Sequence, residues 1–194
     1  MMHYSPIAAT TEGESPESGV EGSYTYSSKV RQTQAKLHKT QAMEMPEVRE
    51  YINMVDARQA GPAQLEAFSH LLARSGFLEI GFVYSGEAVR LDRDNARYWT
   101  NHGTIARFMG DHSKAIDAYR TALKIDPGLA MAHYNLGVSY DATGKYDQAI
   151  EEYVKAFTID PSLAEVSVNP QVVNNYSLAA ASLLLYTRSG GVKA

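Results

Sequence analysis

The sequence predicts an all-α protein assembled from repeated helical hairpins, and three observations carry that prediction. Small, aromatic and proline residues recur at a spacing of 34 between residues 62 and 163. Glycine and proline punctuate the chain at the same interval, where hairpin turns and the steps between hairpins would fall. Upstream, Val48, Tyr51, Ile52 and Val55 lie at the i, i+3, i+4, i+7 spacing of an amphipathic helix.

The recurrence is clearest in residues 130–163, which hold Leu136-Gly137, Tyr140, Gly144, Tyr146, Ala149, Tyr153, Ala156 and Pro161. Thirty-four residues earlier, Gly103, Gly110, Ala115, Tyr119, Ala122 and Pro127 fill the matching slots, and Trp99 stands near the start. A third, weaker copy over residues 62–95 keeps Ser69, Gly76, Gly81 and Ala88 and loses the aromatic and proline positions. The small residues let two helices approach closely. Gly76, Gly110 and Gly144 fall at the inter-helix turn, which favours a positive φ.

This pattern resembles the tetratricopeptide repeat, a helix–turn–helix unit of that length. The resemblance covers residues 62–163 and implies a right-handed solenoid of three repeats, 62–95, 96–129 and 130–163. An N-terminal helical hairpin over residues 29–61, a degenerate repeat-like pair, would cap one end, with Pro46 opening its second helix and Gly61 stopping it. Residues 164–194 would form a capping helix and a short tail, the helix starting at Pro170 with Asn169 as its cap.

Residues 1–28 carry four glutamates, no Lys or Arg, and much Ser, Gly and Thr. Such a segment buries too little apolar surface to offset its ordering entropy, so a disordered acidic tail is expected. Tyr24 and Tyr26 are its exception. They suit either a strand or a docked segment, although a sticky patch in a tail is the plainer reading. The basic run Lys29, Arg31, Lys36, Lys39 reads as a solvated helix face or a place for the acidic tail to fold back.

Composition excludes several classes of function. A net charge of −4 argues against general nucleic-acid binding, which needs clustered cations to neutralise phosphates. The absence of cysteine removes disulfides, thiolate metal sites, cysteine nucleophiles and lipidation through cysteine. No secretory leader or spanning segment is legible, so a cytoplasmic location is expected. No phosphate loop, HExxH or GxSxG occurs. His102 and His112 are ten residues apart on different helices, and neither has another histidine three or four residues away. Catalytic, cofactor and metal sites are therefore all expected to be absent.

What remains is binding to other proteins. By the resemblance, the first helix of each repeat lines a concave groove. The first repeat would supply Glu66, His70 and Arg74, and the second Arg97, Thr100, Asn101, Thr104, Arg107 and Phe108. The third would supply Met131, Tyr134, Asn135, Val138 and Asp141. A peptide with an acid near one end and an apolar anchor near the other suits that order; ordinary exposed residues with no dedicated ligand are the alternative. Asn135 matches a position of the carboxylate-clamp members, which hold chaperone C-termini, but Glu66 stands where those members need lysine.

Residues Val166 to Thr187 contain no Asp, Glu, Lys or Arg. Val172, Tyr176, Ala179, Leu183 and Tyr186 make one stripe, expected to seal the last repeat. Val173, Leu178, Leu184 and Leu185 then project elsewhere and form a candidate interface, since exposing four or five such side chains forfeits roughly 1.5–3 kcal/mol each. The sequence thus predicts a non-catalytic scaffold or complex subunit. It binds protein partners or a second copy of itself, through the groove and the C-terminal helix. The alternative is a regulatory or chaperone-like adaptor that binds a peptide segment of a separate enzyme or of a secretion or assembly machine.

Overall fold

Nine α-helices and three short 3₁₀ turns make up the secondary structure of the described residues, 24–188, in the computed structural model, and no strand occurs among them. The expected tail up to residue 23 and the last six residues lie outside the described residues. The chain divides into two units, residues 1–91 and 92–194.

In the first unit, α1 (Ser28–Leu37) starts at Ser27, whose hydroxyl accepts from the Val30 N–H. A 3₁₀ turn (Gln41–Glu44) leads to α2 (Pro46–Asp56), and α3 (Pro62–Arg74) and α4 (Leu78–Leu91) form the first hairpin. α1 lies along α4 and α2 along α3, while Gln34 donates to Asp56 at 2.6 Å and ties α1 to the end of α2. The core is a ladder of rings: Tyr51 stacks on Phe68 at 5.1 Å, and Phe68 meets Tyr84 at 4.7 Å. Gly61 does not stop α2. The helix ends at Asp56, and Arg58 turns the chain with φ 56, a left-handed conformation that costs a non-glycine residue about 1 kcal/mol. Tyr24 to Ser27 do not hang free as the end of a tail. The Tyr24 N–H donates to the Arg58 carbonyl at 2.9 Å, and the buried Tyr26 hydroxyl donates to the Ala60 carbonyl at 2.8 Å. The Ser27 N–H donates to Glu87 at 2.8 Å. Burial pushes the Tyr26 hydroxyl up to about 12 despite the bond to Ala60, so it stays a donor.

The second unit stacks α5 (Ala96–Phe108), α6 (His112–Ile125), α7 (Ala130–Ala142) and α8 (Tyr146–Ile159), each packed on the next. Asn95 and Asp111 cap α5 and α6 by accepting from Tyr98 and Lys114. The small slots have the purpose their spacing implies. A Cβ at Gly103 would stand 2.9 Å from the Tyr119 ring, and one at Gly137 2.6 Å from the Tyr153 ring. Both tyrosines are buried. The three hairpin turns share one backbone solution, with φ of 88, 78 and 74° at Gly76, Gly110 and Gly144. His133 clamps α7 to α8. Its Nδ1 is 2.6 Å from Glu152 and its Nε2 3.1 Å from the Pro127 carbonyl.

The C-terminal helix differs from expectation in start and in orientation. Pro170 opens only a 3₁₀ turn, Pro170–Val173, and the α-helix, α9, runs Tyr176–Arg188. Its buried residues are Ser177, Leu178 and Ala181, and Leu185 is half-buried. Leu178, expected to project away, is therefore core, 1% exposed. Of the stripe expected to face inward, Val172 is buried, but the residues on α9 look outward, with Tyr176 77% and Leu183 62% exposed. Asp141 is the cause. It accepts from Asn175 at 3.0 Å and from Ser177 at 2.5 Å, as well as from the Tyr153 hydroxyl at 3.0 Å. Those bonds turn the Ser177 side of α9 inward, and Leu178 and Ala181 follow.

Three outcomes test this packing. Gly137→Ala should lose about 1–2 kcal/mol, overpacking against Tyr153 outweighing the helix-propensity gain; an unchanged urea midpoint would show that the two helices are not so close. Asp141→Ala should cost about 2–4 kcal/mol by stranding three donors. Amide exchange should speed up in residues 176–188 before α5 and α6 are affected. Burial acts to raise the Glu152 carboxyl, but bonds and charge from His133 and Lys155 outweigh it and hold it below its ordinary range. A carboxyl lowered in the folded state contributes stability above its unfolded pKa, and that contribution is lost as pH falls through the folded value. Urea midpoints should therefore fall more steeply on acidification in the wild type than in Glu152→Gln, and parallel curves would remove Glu152 from the acid response.

Candidate functional site

The first helices of the second unit's two repeats, α5 and α7, run the same way, because α6 returns between them. The residues expected to line a groove divide sharply by what they touch. Phe108 at the end of α5 is 60% exposed, and Met131 at the start of α7 is 51% exposed. Helices of 13 residues span about 20 Å, so these two apolar groups mark opposite ends of the α5–α7 pair. Arg97 is exposed, and the Arg107 guanidinium lies 4.5 Å from the Phe108 ring centroid. The positive charge thus sits beside an apolar anchor.

Between the two ends the residues are half-buried and mostly committed. The Thr100 and Thr104 hydroxyls donate to the carbonyls four residues before them. Thr104 also accepts from the Tyr119 hydroxyl at 3.2 Å. Burial pushes that hydroxyl up, while Thr104 and Arg107 pull it back. Asn101 is half-buried beside them. On α7 the Tyr134 hydroxyl accepts from Asn169 at 3.1 Å, and its ring tilts against Tyr153 at 5.4 Å. Val138 is half-buried.

Two expected groove residues are structural instead. Asn135 is 8% exposed and cannot present a side chain to a ligand. Asp141 spends its carboxylate on Tyr153, Asn175 and Ser177. Burial first, and then the Asp141 charge, raise the Tyr153 hydroxyl well above its usual range, so it donates throughout the physiological pH span.

In the first unit, α3 carries Glu66, His70 and Arg74. His70 Nε2 lies 2.9 Å from Glu66 one turn away, which occupies both with each other, and Arg74 is exposed. Sequence reasoning ranked the docking of Tyr24 and Tyr26 second and missed the role of Asp141. One signal was available for the latter. Asn174, Asn175 and Ser177 cluster at the head of an otherwise dry segment, and polar groups placed together there need an acceptor nearby.

Among the described residues, no group of His, Cys, Asp and Glu is placed to hold a metal, and no helix is long and apolar enough to cross a membrane. His102 lies on α5 and His112 opens α6.

No curated protein matches the chain by sequence. Two family models do match, one described as TPR repeat over residues 107–144 and one as Tetratricopeptide repeat over residues 130–163. Among solved structures, MamA is similar at 19% identity and a TM-score of 0.60, over 85% of this chain and 94% of that one. The first TPR of Spaghetti (RPAP3), solved with the HSP90 peptide SRMEEVD, is similar at 13% identity and a TM-score of 0.52, over 66% of this chain and 93% of that one. YrrB, described as a TPR protein with an unusual peptide-binding site, is similar at 22% identity and a TM-score of 0.56, over 59% of each chain. At such identities these likenesses speak for the fold alone. Together with the repeat models over residues 107–163 and the helix pairs that recur at 34 residues, they show a tetratricopeptide-repeat fold, with the repeats themselves matched in that part of the chain.

Proposed function

We propose that this protein is a non-catalytic interaction scaffold that holds a segment of a partner protein on the face of α5 and α7. The observation that carries the reading is the pairing of exposed Phe108 and Met131 with Arg97 and Arg107 on that face. Large apolar side chains held on rigid helices give anchor points without an ordering cost, and an arginine beside one adds a directional contact for a carboxylate. The ligand this favours is a short peptide with two apolar residues and an acid near the Phe108 end. Support comes from the neighbours in fold: the Spaghetti domain was solved with a peptide, and YrrB is described by its peptide-binding site.

A chaperone-type carboxylate clamp is disfavoured, because Asn135 is buried and Glu66 is paired with His70. The net charge of −4 disfavours nucleic acid. The outward face of α9 is a second contact surface in this reading, separate from the α5–α7 face. An adaptor that presents a peptide segment to a separate enzyme would use the same α5–α7 face and differ only in what the partner does.

Selection of peptides from a random library on the immobilised protein tests the reading. Enriched peptides should share two apolar positions and an acid, and Phe108→Ala should weaken their binding about tenfold or more. The thermal midpoint should not move, because Phe108 is mostly exposed. Enrichment of peptides whose binding is indifferent to Phe108, Met131 and Arg107 would remove the face from the function.

A further inference from the structure

We propose that the cavity formed where residues 24–27 dock against α1 and the end of α2 binds a small dicarboxylic amino acid, glutamate or aspartate in its free form. The site lies wholly within the first unit and involves no residue of the α5–α7 face.

The cavity measures about 220 Å³, small against the roughly 300–1,000 Å³ of a drug-sized site, so it suits a ligand the size of a single amino acid. Thr25 and Tyr26 line it, with Arg31 and Gln34 from α1, Val55 and Asp56 from α2, and Arg58 just beyond. The first two are fixed in place. Arg90 donates to the Thr25 carbonyl at 2.7 Å, and the bonds of residues 24, 26 and 27 to Arg58, Ala60 and Glu87 hold the rest of the segment.

Charge selects the ligand. Arg31 and Arg58 are exposed, and neither guanidinium has a partner among the described residues. Asp56 is the carboxylate that lines the cavity. Its Oδ1 accepts from Gln34 at 2.6 Å, and its Oδ2 lies 4.0 Å from His38 Nε2, which leaves acceptor capacity open. A simple anion would face Asp56, and a simple cation would face two guanidiniums. A dicarboxylic amino acid answers all three charges, with two carboxylates for the two arginines and an ammonium for Asp56. A different kind of observation points to the same place. The Tyr84 hydroxyl is wholly buried and has no hydrogen-bond partner among the described residues, a costly state that calls for an acceptor. It stands within electrostatic reach of Asp56 and Tyr26, and burial first, then those two groups, hold its pKa well above the usual range. The hydroxyl therefore keeps its proton, and a ligand oxygen at that end of the cavity gives it the acceptor it lacks.

NMR titration of the isotope-labelled full chain tests the site. Glutamate or aspartate should shift the amides of residues 24–34 and 55–58 saturably, with Kd about 0.1–1 mM. Glutarate lacks the ammonium and glutamine lacks the second carboxylate, so each should bind at least tenfold more weakly. Arg31→Gln and Arg58→Gln should each weaken glutamate about tenfold. Asp56→Asn keeps an oxygen for Gln34 but removes the partner of the ammonium, so this variant should bind glutarate at least as well as glutamate. Tyr84→Phe should weaken glutamate while leaving the ligand-free thermal midpoint unchanged or higher, because the hydroxyl it removes makes no bond. No saturable shift up to about 20 mM glutamate or aspartate overturns the proposal. So do glutarate equal to glutamate in the wild type, shifts confined to other residues, and binding indifferent to Arg31. Arg31 is exposed on α1, so Arg31→Gln decides the matter even if Arg58→Gln fails to fold. None of these results depends on peptide binding at Phe108, so the two sites succeed or fail separately.

Discussion

Close approach of two helices over a missing side chain is the constraint on which the repeats depend. At Gly137 the backbone of α7 comes so near α8 that a single methyl would stand 2.6 Å from the Tyr153 ring, and Gly103 repeats the arrangement against Tyr119. The tyrosine then fills the space a glycine vacates, and its hydroxyl must find a partner because it is buried. Tyr153 finds Asp141, and Tyr119 finds Thr104. One steric decision therefore fixes the helix separation, the buried ring and the polar group beside it. The first hairpin meets the same constraint differently. Gly81 lies against the backbone of α3, where a Cβ would meet the Ser69 carbonyl at 2.7 Å, and its aromatic filling comes from the Tyr51–Phe68–Tyr84 ladder.

Asp141 shows how a repeat's internal need becomes the attachment of the next element. A carboxylate has room for about four hydrogen bonds, and one to Tyr153 leaves most of that capacity open in a half-buried place. Asn175 and Ser177 fill it. This makes α9 an extension of the polar wiring of the repeats more than an apolar lid. It also explains why a segment without charge does not simply bury its largest side chains. Ser177 is 1% exposed while Leu183 is 62% exposed, an order that hydrophobic burial alone would reverse. Two hydrogen bonds from a charged acceptor, each worth about 1.5–3 kcal/mol, can outweigh the transfer of one leucine.

That ordering marks where the sequence was legible. The period, the turn glycines and the slots under the tyrosines were readable because each repeats at 34 residues and each has one local physical cause. The face of α9 was not. Its orientation depends on a helix start that moved from Pro170 to Tyr176 when the proline opened only a 3₁₀ turn. It also depends on an acceptor 34 to 36 residues upstream. The groove suffered in the same way. Phe108 and Met131 are exposed, whereas Asp141 and Asn135 occupy first-helix positions that packing and internal hydrogen bonds claimed. Tyr24 and Tyr26 were ambiguous for a different reason. An alternating pair of tyrosines is compatible with many docks, and only Arg58, turning at a positive φ, places a carbonyl to receive Tyr24.

The uncharged stretch then divides into two halves with different explanations. Its inward half needs no charge because Asp141 already supplies one, and any Lys or Glu at positions 178 or 181 would be buried without a partner. Its outward half has no such excuse. Lysine or glutamate at 176, 179 or 183 would cost the fold nothing, since those positions are exposed, and charge on the outer face of a terminal helix normally keeps a repeat array apart from its neighbours. Tyr176, Ala179 and Leu183 add nothing to the packing of this chain that a charged residue would take away. An apolar surface that the fold does not require is best explained by a contact outside it.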